Sequence, residues 1–311
     1  MSAPAIEAAL ALSLLAGRPG LRWAPGPPTI ASPMRQAVDA ANWIVEADAT
    51  APAFVKIFFD DARPDIDAAE AWAGARAAAA ACVGPEALFA LPDLGVIATA
   101  YLPPPWRPAT LDDLARPEVF AAAVEAKRRF QAGLPLARHR DVFAGIADLH
   151  ARAVAASAPL PDDTQALMAW AAGAGAATSA AGFDLRPCHN DGSASAHMLH
   201  SDGRLMLVDF DEAGQADPLY DLALLLNEAS AFTDPWAAGV EAFLGRSEGA
   251  AVNRCRVYAV ADDILQGLRG WLLSAASPRR SVEFLKYGEW RLLRARMALR
   301  EPGFAERLGR L

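Results

Sequence analysis

The distribution of strand-forming segments along this chain constrains its fold more than any other feature of the sequence. Before residue 102 the apolar segments are short, carry β-branched or aromatic residues, and are separated by turn-forming residues such as Pro92-Asp93. We predict four strands there: Ala41 to Ala47, Ala53 to Phe59, Ala87 to Leu91 and Gly95 to Tyr101. A helix over Ile66 to Ala81 would separate two antiparallel pairs, and the Pro/Gly-rich segment Arg18 to Pro28 is predicted to be a loop.

Beyond Leu111 the pattern is mostly helical. Helices are predicted over six segments: Pro117 to Gln131, Arg140 to Ala156, Asp163 to Ala172, Pro218 to Ala231, Ala250 to Ala275 and Arg280 to Ala298. Short strands near Leu185 and over Leu205 to Phe210 interrupt them. This order predicts an α+β, two-lobed molecule connected near Tyr101 to Trp106. We expect a β-rich lobe over residues 1–102, a helical lobe over 103–311, and a cleft between them.

The composition excludes several classes of protein. A chain of 311 residues with 53% hydrophobic and 21% charged residues can bury a large core, which argues against intrinsic disorder. The net charge of -8 leaves no basic surplus to neutralise nucleic-acid phosphates, so we expect no nucleic-acid partner. A small cationic substrate suits this acidic balance, and the oligomeric state is left open.

The cysteines and the first residues bear on where the protein resides. Cys82, Cys188 and Cys255 lie far apart and form no CxxC pair, which argues against a zinc ribbon or a disulfide framework and favours the cytoplasm. The apolar run Ala5 to Ala16 contains Glu7 and is too short to span a membrane. We therefore predict a short amphipathic helix there and no membrane association.

An acidic pattern between residues 189 and 211 indicates the chemistry. The motif His189-Asn190-Asp191 is predicted to lie in a loop, and the strand Leu205 to Val208 then delivers Asp209-Phe210-Asp211. Such a strand–turn–strand can hold two acidic groups facing the same space. Phosphoryl transfer needs one carboxylate to orient the attacking hydroxyl and others to hold magnesium, and Asp191 and Asp209 would divide these roles.

Lys56 is a candidate ligand for phosphate in the first lobe. It lies inside the predicted strand Ala53 to Phe59, where a charged residue is unfavourable unless its ammonium group reaches an anion. A nucleotide phosphate is a natural partner for it.

These motifs resemble those of the choline kinase and aminoglycoside phosphotransferase family, whose catalytic string HxDxxxxN is followed by a strand and by D[FW][ED]. His189-Asn190-Asp191 and Leu207 to Gly214 match that pattern, and Asp217 to Ala223 looks like the family's DPLxDLA run. The matches span roughly Trp43 to Glu228. The resemblance implies a protein-kinase-like fold and ATP-dependent phosphorylation of a hydroxyl group on choline, ethanolamine, an aminoglycoside or an amino sugar.

The resemblance also implies roles for individual residues in the second lobe. Asp191 would be the catalytic base, and His189 would brace the catalytic loop. Asp209 would be the main ligand of Mg²⁺, with Mn²⁺ as an alternative ion, while Asp217 and Asp221 would support the loop. Two acidic residues are assigned to the substrate side: Glu228 and Asp211.

The nucleotide contacts implied by the resemblance come from the first lobe. Lys56 would bind phosphate, and Glu70 on the following helix would be its ion-pair partner, with a plain surface pair between Glu70 and Arg76 as the alternative. The strand that ends near Tyr101 would touch adenine.

Two departures from the family pattern leave other functions open. Ala196 stands where the family has a metal-binding asparagine, and the nearest candidate ligand is His197, whose imidazole would suit manganese or zinc better than magnesium. The segment Ser32 to Gln36 has no glycine, where the family often has a glycine-containing turn over the phosphates. A pseudokinase is therefore the alternative. A metal-dependent hydrolase is weaker, because no HxH or HExxH spacing accompanies the candidate ligands.

Aromatic residues on the last helices bear on the acceptor. Trp271, Tyr287 and Trp290 fall on helices that wall the acceptor pocket in the family. They could cage a quaternary ammonium by cation–π contact, or they could be core residues at helical spacing.

Overall fold

The first part of the chain forms a five-stranded antiparallel sheet, as seen in a computed structural model that describes residues 19–32, 35–230 and 234–311. The strand order is β1-β2-β3-β5-β4. The strands are β1 Arg22–Pro25, β2 Ala40–Glu46, β3 Ala53–Phe58, β4 Ala87–Leu91 and β5 Val96–Ala100. Helix α1, Ala68–Ala80, begins at Asp67, whose carboxylate accepts from two amides of its first turn, and it packs on β4 and β5.

Strand β1 shows that the prediction of a loop over Arg18 to Pro28 was wrong. Its four residues pair with β2 from Arg22 opposite Glu46 to Pro25 opposite Trp43. The strand lies at the edge of the sheet, where the missing N–H of a proline breaks no hydrogen bond of the ladder. The four strands that were predicted are present, with ends that differ by at most one residue.

The remainder of the chain is mostly helical. Its helices are α2 Leu111–Leu114, α3 Pro117–Gln131, α4 Val142–Ala155, α5 Thr164–Ala181, α6 Pro218–Ala229, α7 Trp236–Leu244, α8 Gly249–Ala276 and α9 Phe284–Leu299. Helix α8 packs against α4, α6 and α9, and apolar side chains such as Ile146, Leu225 and Ile264 are completely buried among them. This packing supplies the largest apolar core of the described chain.

The predicted helices are confirmed in part. Helix α3 has both predicted ends, and a proline at its first position favours that start. Helix α5 continues beyond the predicted end at Ala172 to Ala181, through a run of alanine, glycine and small polar residues that has no clear apolar period. Helix α7 was not predicted at all. The helix predicted over Ala5 to Ala16 lies outside the described residues.

Two small sheets hold the segment that carries the motifs. Strand β7, Arg186–Cys188, pairs with β10, Gly214–Ala216. Strand β8, His197–Leu199, lies between β6, Arg107–Pro108, and β9, Leu205–Leu207. The strand predicted over Leu205 to Phe210 therefore ends three residues early.

Contacts between the two parts of the chain fix the position of this segment. Ala78 of α1 packs in one apolar cluster with Phe130 of α3 and with Leu207 and Phe210. At the corner between α8 and α9, Arg279 donates to the carboxylate of Asp61 and to the carbonyl of Val38. The acidic segment is thus enclosed between the sheet and the helices.

This architecture confirms the predicted α+β class with an antiparallel, β-rich first part. The division at residue 102 stays a prediction. Within the described ranges, no helix is both long enough and apolar enough to span a membrane.

Candidate active site

A buried ion pair shapes the loop that carries Asp191. The ammonium group of Lys127 on α3 lies 2.7 Å from the carboxylate of Asp221 on α6, and neither side chain is exposed. The same ammonium donates to the carbonyl of Asp191 at 2.9 Å. Asp221 also accepts from the amide of Asn190 at 2.9 Å and from the side chain of Gln131. These hydrogen bonds fix the backbone of the loop at Asn190 and Asp191.

Asp221 thus holds the loop through hydrogen bonds to its backbone, the role implied by the resemblance. Lys127 was not among the predicted residues. The available signal was a lysine at a helix position flanked by Val124, Ala126 and Phe130, all of which are buried. A charged residue on an apolar helix face needs a buried partner. Asp217 has a different place: it caps α6 through the amide of Leu219 and accepts from the hydroxyl of Tyr258.

His189 braces the loop against the strand that carries the second motif. Its Nε2 atom lies 2.9 Å from the carbonyl oxygens of both Val208 and Asp209, and its ring packs on Phe210. Burial and the charge of Lys127 lower the pKa of His189 to about 4. The imidazole is therefore neutral at pH 7, and it joins the two motifs without adding charge.

The backbone at both motifs adopts a left-handed conformation. Asn190 has φ of 57° and Asp209 has φ of 66°, a region that residues other than glycine rarely occupy. Such conformations persist where the surrounding contacts determine them, and they cluster at functional sites. At Asp209 this turn ends the strand, and the side chain then points toward Lys56.

Lys56 of β3 contacts both carboxylates of the second motif. Its ammonium nitrogen lies 2.7 Å from Asp209 Oδ1 and 2.6 Å from Asp211 Oδ2. The predicted ion pair of Lys56 with Glu70 is wrong, because the Lys56 ammonium pairs with Asp209 and Asp211 instead. Glu70 makes no ion pair within the described residues, and its charge acts instead on nearby Arg138.

The negative charges of the carboxylates in the site repel one another. Burial and the charge of Asp209 raise the pKa of Asp191 to about 7. Burial opposes ionisation of Asp209 as well, but the charge of Lys56 and the hydrogen bonds with Asp211 and Lys56 together outweigh it and keep that pKa low. Burial and the charge of Asp209 raise the pKa of Asp211 well above its usual range. The site therefore has more carboxylates than its own cation can neutralise.

An apolar cavity of about 350 Å³ adjoins this cluster. Lys56, Asp209 and Tyr101, the residue predicted to touch adenine, all line it. The other lining residues that give it an apolar character come from both lobes: Ile44, Phe54, Ile97, Met198, Val208 and Phe210. An apolar slot whose lining includes a lysine and a carboxylate suits a purine with its phosphates.

Lys56 also lines a second, polar cavity. It is lined by Asp191, Asp209 and Asp211 and extends to Glu228 on α6. Glu228 Oε1 accepts from the amide of Ala194 at 3.1 Å, so this residue also steadies the catalytic loop. All the acidic residues predicted for catalysis, metal binding and substrate contact therefore line a single cavity.

His197 lies apart from that cavity, and its predicted place among the metal ligands is wrong. Its side chain is fully buried, its Nδ1 atom lies 2.9 Å from the carbonyl of Ser193, and it lines neither cavity. It points inward because residues alternate sides along β8. No group of three or more His, Cys, Asp or Glu residues in the described ranges could hold a metal by itself.

Ser195 reaches the cavities, whereas Ala196 and His197, the two positions considered for a metal ligand, do not. It lines both cavities, and its hydroxyl donates to the carbonyl of Arg35 at 2.8 Å. Arg35 belongs to the glycine-free segment and pairs with Asp39 through both carboxylate oxygens. The side chain of Arg35 also lines the polar cavity.

Comparisons with known proteins agree with this geometry. Residues 31–258 match the model of the phosphotransferase enzyme family. Over 45 residues the chain is 47% identical to protein LicA of Haemophilus influenzae. The matched segment covers 14% of this chain and only 16% of the length of that curated relative.

Solved structures extend the likeness to the whole chain. A choline/ethanolamine kinase family protein from Mesorhizobium loti has a TM-score of 0.78 at 26% identity, covering 99% of this chain and 98% of that one. A spectinomycin phosphotransferase in complex with ADP and spectinomycin shares the fold at 11% identity, with a TM-score of 0.59 and coverage of 96% and 99%. The predicted resemblance and the protein-kinase-like fold are confirmed.

Proposed function

We propose, from the premise that the chain belongs to the phosphotransferase enzyme family, that it transfers the γ-phosphoryl group of ATP to the hydroxyl of a small cationic alcohol. The family makes the chain a small-molecule kinase that uses a nucleotide and an alcohol acceptor. One observation supports the finer proposal most: Lys56 and three carboxylates line a polar cavity that adjoins an apolar slot. Choline, ethanolamine, an aminoglycoside or an amino sugar would be the acceptor.

In this proposal Asp191 receives the proton of the acceptor hydroxyl. Its raised pKa of about 7 places it near the pH at which a general base is most effective. The hydroxyl oxygen attacks the γ-phosphorus, the bond from that phosphorus to the bridging oxygen breaks, and ADP leaves. Lys56 would neutralise charge on the phosphate oxygens, which is the main task of the protein in phosphoryl transfer.

The residues at Asp209 fit a divalent cation. Asp209 and Asp211 supply oxygen atoms, which magnesium and manganese prefer, and the buried Asp211 Oδ1 atom has no hydrogen-bond partner. The mutual repulsion of three carboxylates is a further reason for a cation there. When bound, Mg²⁺ or Mn²⁺ would neutralise the phosphate charge. Ala196 has no side-chain oxygen to replace the family's asparagine. Neutral oxygens are nevertheless present, because Ser195, Asn42 and Asn190 line the same cavity and the buried Oδ1 atoms of both asparagines have no hydrogen-bond partner.

A thermal-shift titration tests nucleotide and metal binding together. ATP with Mg²⁺, and separately with Mn²⁺, should raise the melting temperature of the wild type, because a ligand that binds only the folded state stabilises it. Asp209→Ala should abolish the metal-dependent part of the rise, while Asp162→Ala, at an exposed position far from the site, should retain it. Absence of a shift with every nucleotide and metal would refute the proposal.

A pseudokinase stays the alternative, because Ala196 and the glycine-free segment depart from the family pattern. The distinguishing result is phosphate transfer. Binding of ATP and metal without transfer to any hydroxyl acceptor would favour the pseudokinase, whereas transfer that is lost in Asp191→Asn would exclude it. Residence in the cytoplasm stays a prediction.

A further inference from the structure

Six residues line both the apolar slot and the polar cavity, so they mark the place where the two cavities meet. They are Gln36, Ala37, Asn42, Lys56, Ser195 and Asp209. In the proposed reaction the adenine lies in the slot, and the acceptor lies beside Asp191 in the polar cavity. The phosphate groups and the cation between these two ends would therefore lie against the six residues.

Asn42 differs from the other polar residues of this set, because no described residue forms a hydrogen bond with its side chain. Its Oδ1 atom is buried and has no partner. The other polar side chains each have one: Lys56 with Asp209, Ser195 with the carbonyl of Arg35, and Gln36 with the carbonyl of Pro28. The amide of Asn42 is thus the unused polar group at the junction of the cavities.

The position of Asn42 in the sheet places this amide beside the phosphate-binding lysine. Asn42 of β2 lies directly opposite Lys56 of β3. Side chains of directly opposed residues project from the same face of a sheet. Asparagine is disfavoured inside strands, and a buried acceptor without a donor lowers stability. A ligand at this face can supply the missing contact.

The chemistry of the amide indicates what that ligand is. Oδ1 is an acceptor, so a phosphate oxygen, which is also an acceptor at pH 7, cannot satisfy it. A divalent cation can, because Mg²⁺ and Mn²⁺ prefer oxygen ligands and amide oxygens are among them. The N–H groups of the same amide can donate to a phosphate oxygen. One side chain of Asn42 therefore suits both halves of a metal–phosphate group.

The other neutral oxygens considered for the cation are placed less well. The amide of Asn190 donates to the carbonyl of Glu212, and of the two cavities this residue lines only the polar one. The hydroxyl of Ser195 is held by the carbonyl of Arg35. Asn42 combines a free oxygen with a place at the junction.

We infer that Asn42 supplies the neutral oxygen ligand of the divalent cation that Ala196 cannot supply. The cation would then be held by Asp209 together with a residue of the β-rich lobe, instead of by two residues of the helical lobe. This inference rests on the proposed function and deepens its metal site.

Binding of ATP with and without a divalent cation tests the inference. Isothermal titration calorimetry with Mg²⁺, with Mn²⁺ and with EDTA is performed on the wild type and on Asn42→Ala. We expect Asn42→Ala to weaken ATP binding by about 10- to 100-fold in the presence of metal, the range for losing a contact with a charged group. The loss in EDTA should be much smaller. An equal loss with and without metal would overturn the inference.

Asn42→Asp tests whether an oxygen at this position is what the cation needs. The carboxylate keeps the oxygen and adds a negative charge that repels phosphate. We expect ATP binding close to that of the wild type with metal and weaker than that of the wild type in EDTA. The gain in affinity from metal should therefore increase from Asn42→Ala to the wild type to Asn42→Asp. Behaviour of Asn42→Asp like that of Asn42→Ala would contradict the inference.

Thermal unfolding without ligand separates this role from a structural one. Asn42→Ala removes an unsatisfied acceptor, so its melting temperature should equal or exceed that of the wild type. A lower melting temperature together with unchanged metal dependence would make Asn42 a structural residue. Asn253→Ala, on α8 and outside both cavities, is the matched control and should keep the metal dependence of the wild type.

The wild type distinguishes failure of this inference from failure of the proposed function. If the wild type binds no nucleotide with any metal, the proposed function itself fails. If the wild type shows metal-dependent binding and Asn42→Ala shows the same, only the role of Asn42 is wrong.

Discussion

Lys56 and Lys127 each bind aspartate, but the two clusters differ in how completely their partners are satisfied. Lys127 is fully buried, and Asp221 opposite it accepts from a side-chain amide and two backbone amides as well. Burial opposes ionisation of Asp221, yet the charge of Lys127 and the hydrogen bonds from Lys127 and Gln131 together outweigh this and lower its pKa. Every group in this cluster has a partner, so the cluster stabilises one conformation.

The Lys56 cluster leaves charge and hydrogen-bonding capacity unused. One lysine faces Asp209 and Asp211, a third carboxylate at Asp191 lies in the same cavity, and Asp211 Oδ1 has no partner. Burial and neighbouring charge raise the pKa values of Asp191 and Asp211. The comparison teaches that a satisfied buried pair fixes structure, whereas an unsatisfied one is suited to a ligand.

The largest expected effect is on stability, at Lys127. Lys127→Met should lower the free energy of unfolding by about 3–5 kcal/mol, because it leaves Asp221 buried without its cation. Urea denaturation followed by circular dichroism measures this. Lys286→Met, at an exposed position of α9, is the control and should change stability little. A loss at Lys127 no larger than at Lys286 would remove the contrast between the clusters.

Lys56→Met should reduce activity strongly and stability less. Phosphate transfer to the best acceptor should fall by about 10²–10³-fold, the usual cost of losing one group that stabilises transition-state charge. Stability should change less than in Lys127→Met, since the side chain of Asp209 is 40% exposed and can be solvated. Steady-state kinetics and the same denaturation experiment give both numbers. A stability loss equal to that of Lys127→Met would show that Lys56 is also structural.

A smaller effect concerns the pH dependence of stability at Asp191. The folded state raises its pKa from 3.8 to about 7, so ionisation costs stability increasingly as pH rises from about 4 to 7. Asp191→Asn removes that charge. We therefore expect its melting temperature to exceed that of the wild type by more at pH 8 than at pH 5, in the absence of nucleotide and metal. A difference that is independent of pH would refute the raised pKa.

Local signals explain which parts of the fold were predictable. Strand β4 and helix α3 have sharp ends in the sequence, a turn at Pro92 and a proline at the first helical position, and both were predicted correctly. Helix α5 was cut short, because its second half has small residues with no apolar period. Strand β1 was missed, because it is held by pairing with β2, a contact that the local sequence does not show.

The residues of the site that belong to sequence motifs were predictable. His189, Asp191, Asp209 and Glu228 were placed by sequence, and the structure brings them to one region. The partner of Lys56 and the orientation of His197 depend on distances between separate elements, which sequence spacing does not give. The apolar helix face around Lys127 indicated a buried partner, but the sequence did not show which one, since Asp221 lies 94 residues away.

The contacts of Lys127 also set the order in which the site can assemble. The loop carrying Asp191 needs a lysine that precedes it by 64 residues and an aspartate that follows it by 30. During synthesis on the ribosome, a nascent chain that ends before Asp221 would contain both catalytic motifs but not the anchor that shapes the loop. A truncated product of that kind would contain the sequence of both catalytic motifs but would not form the active site.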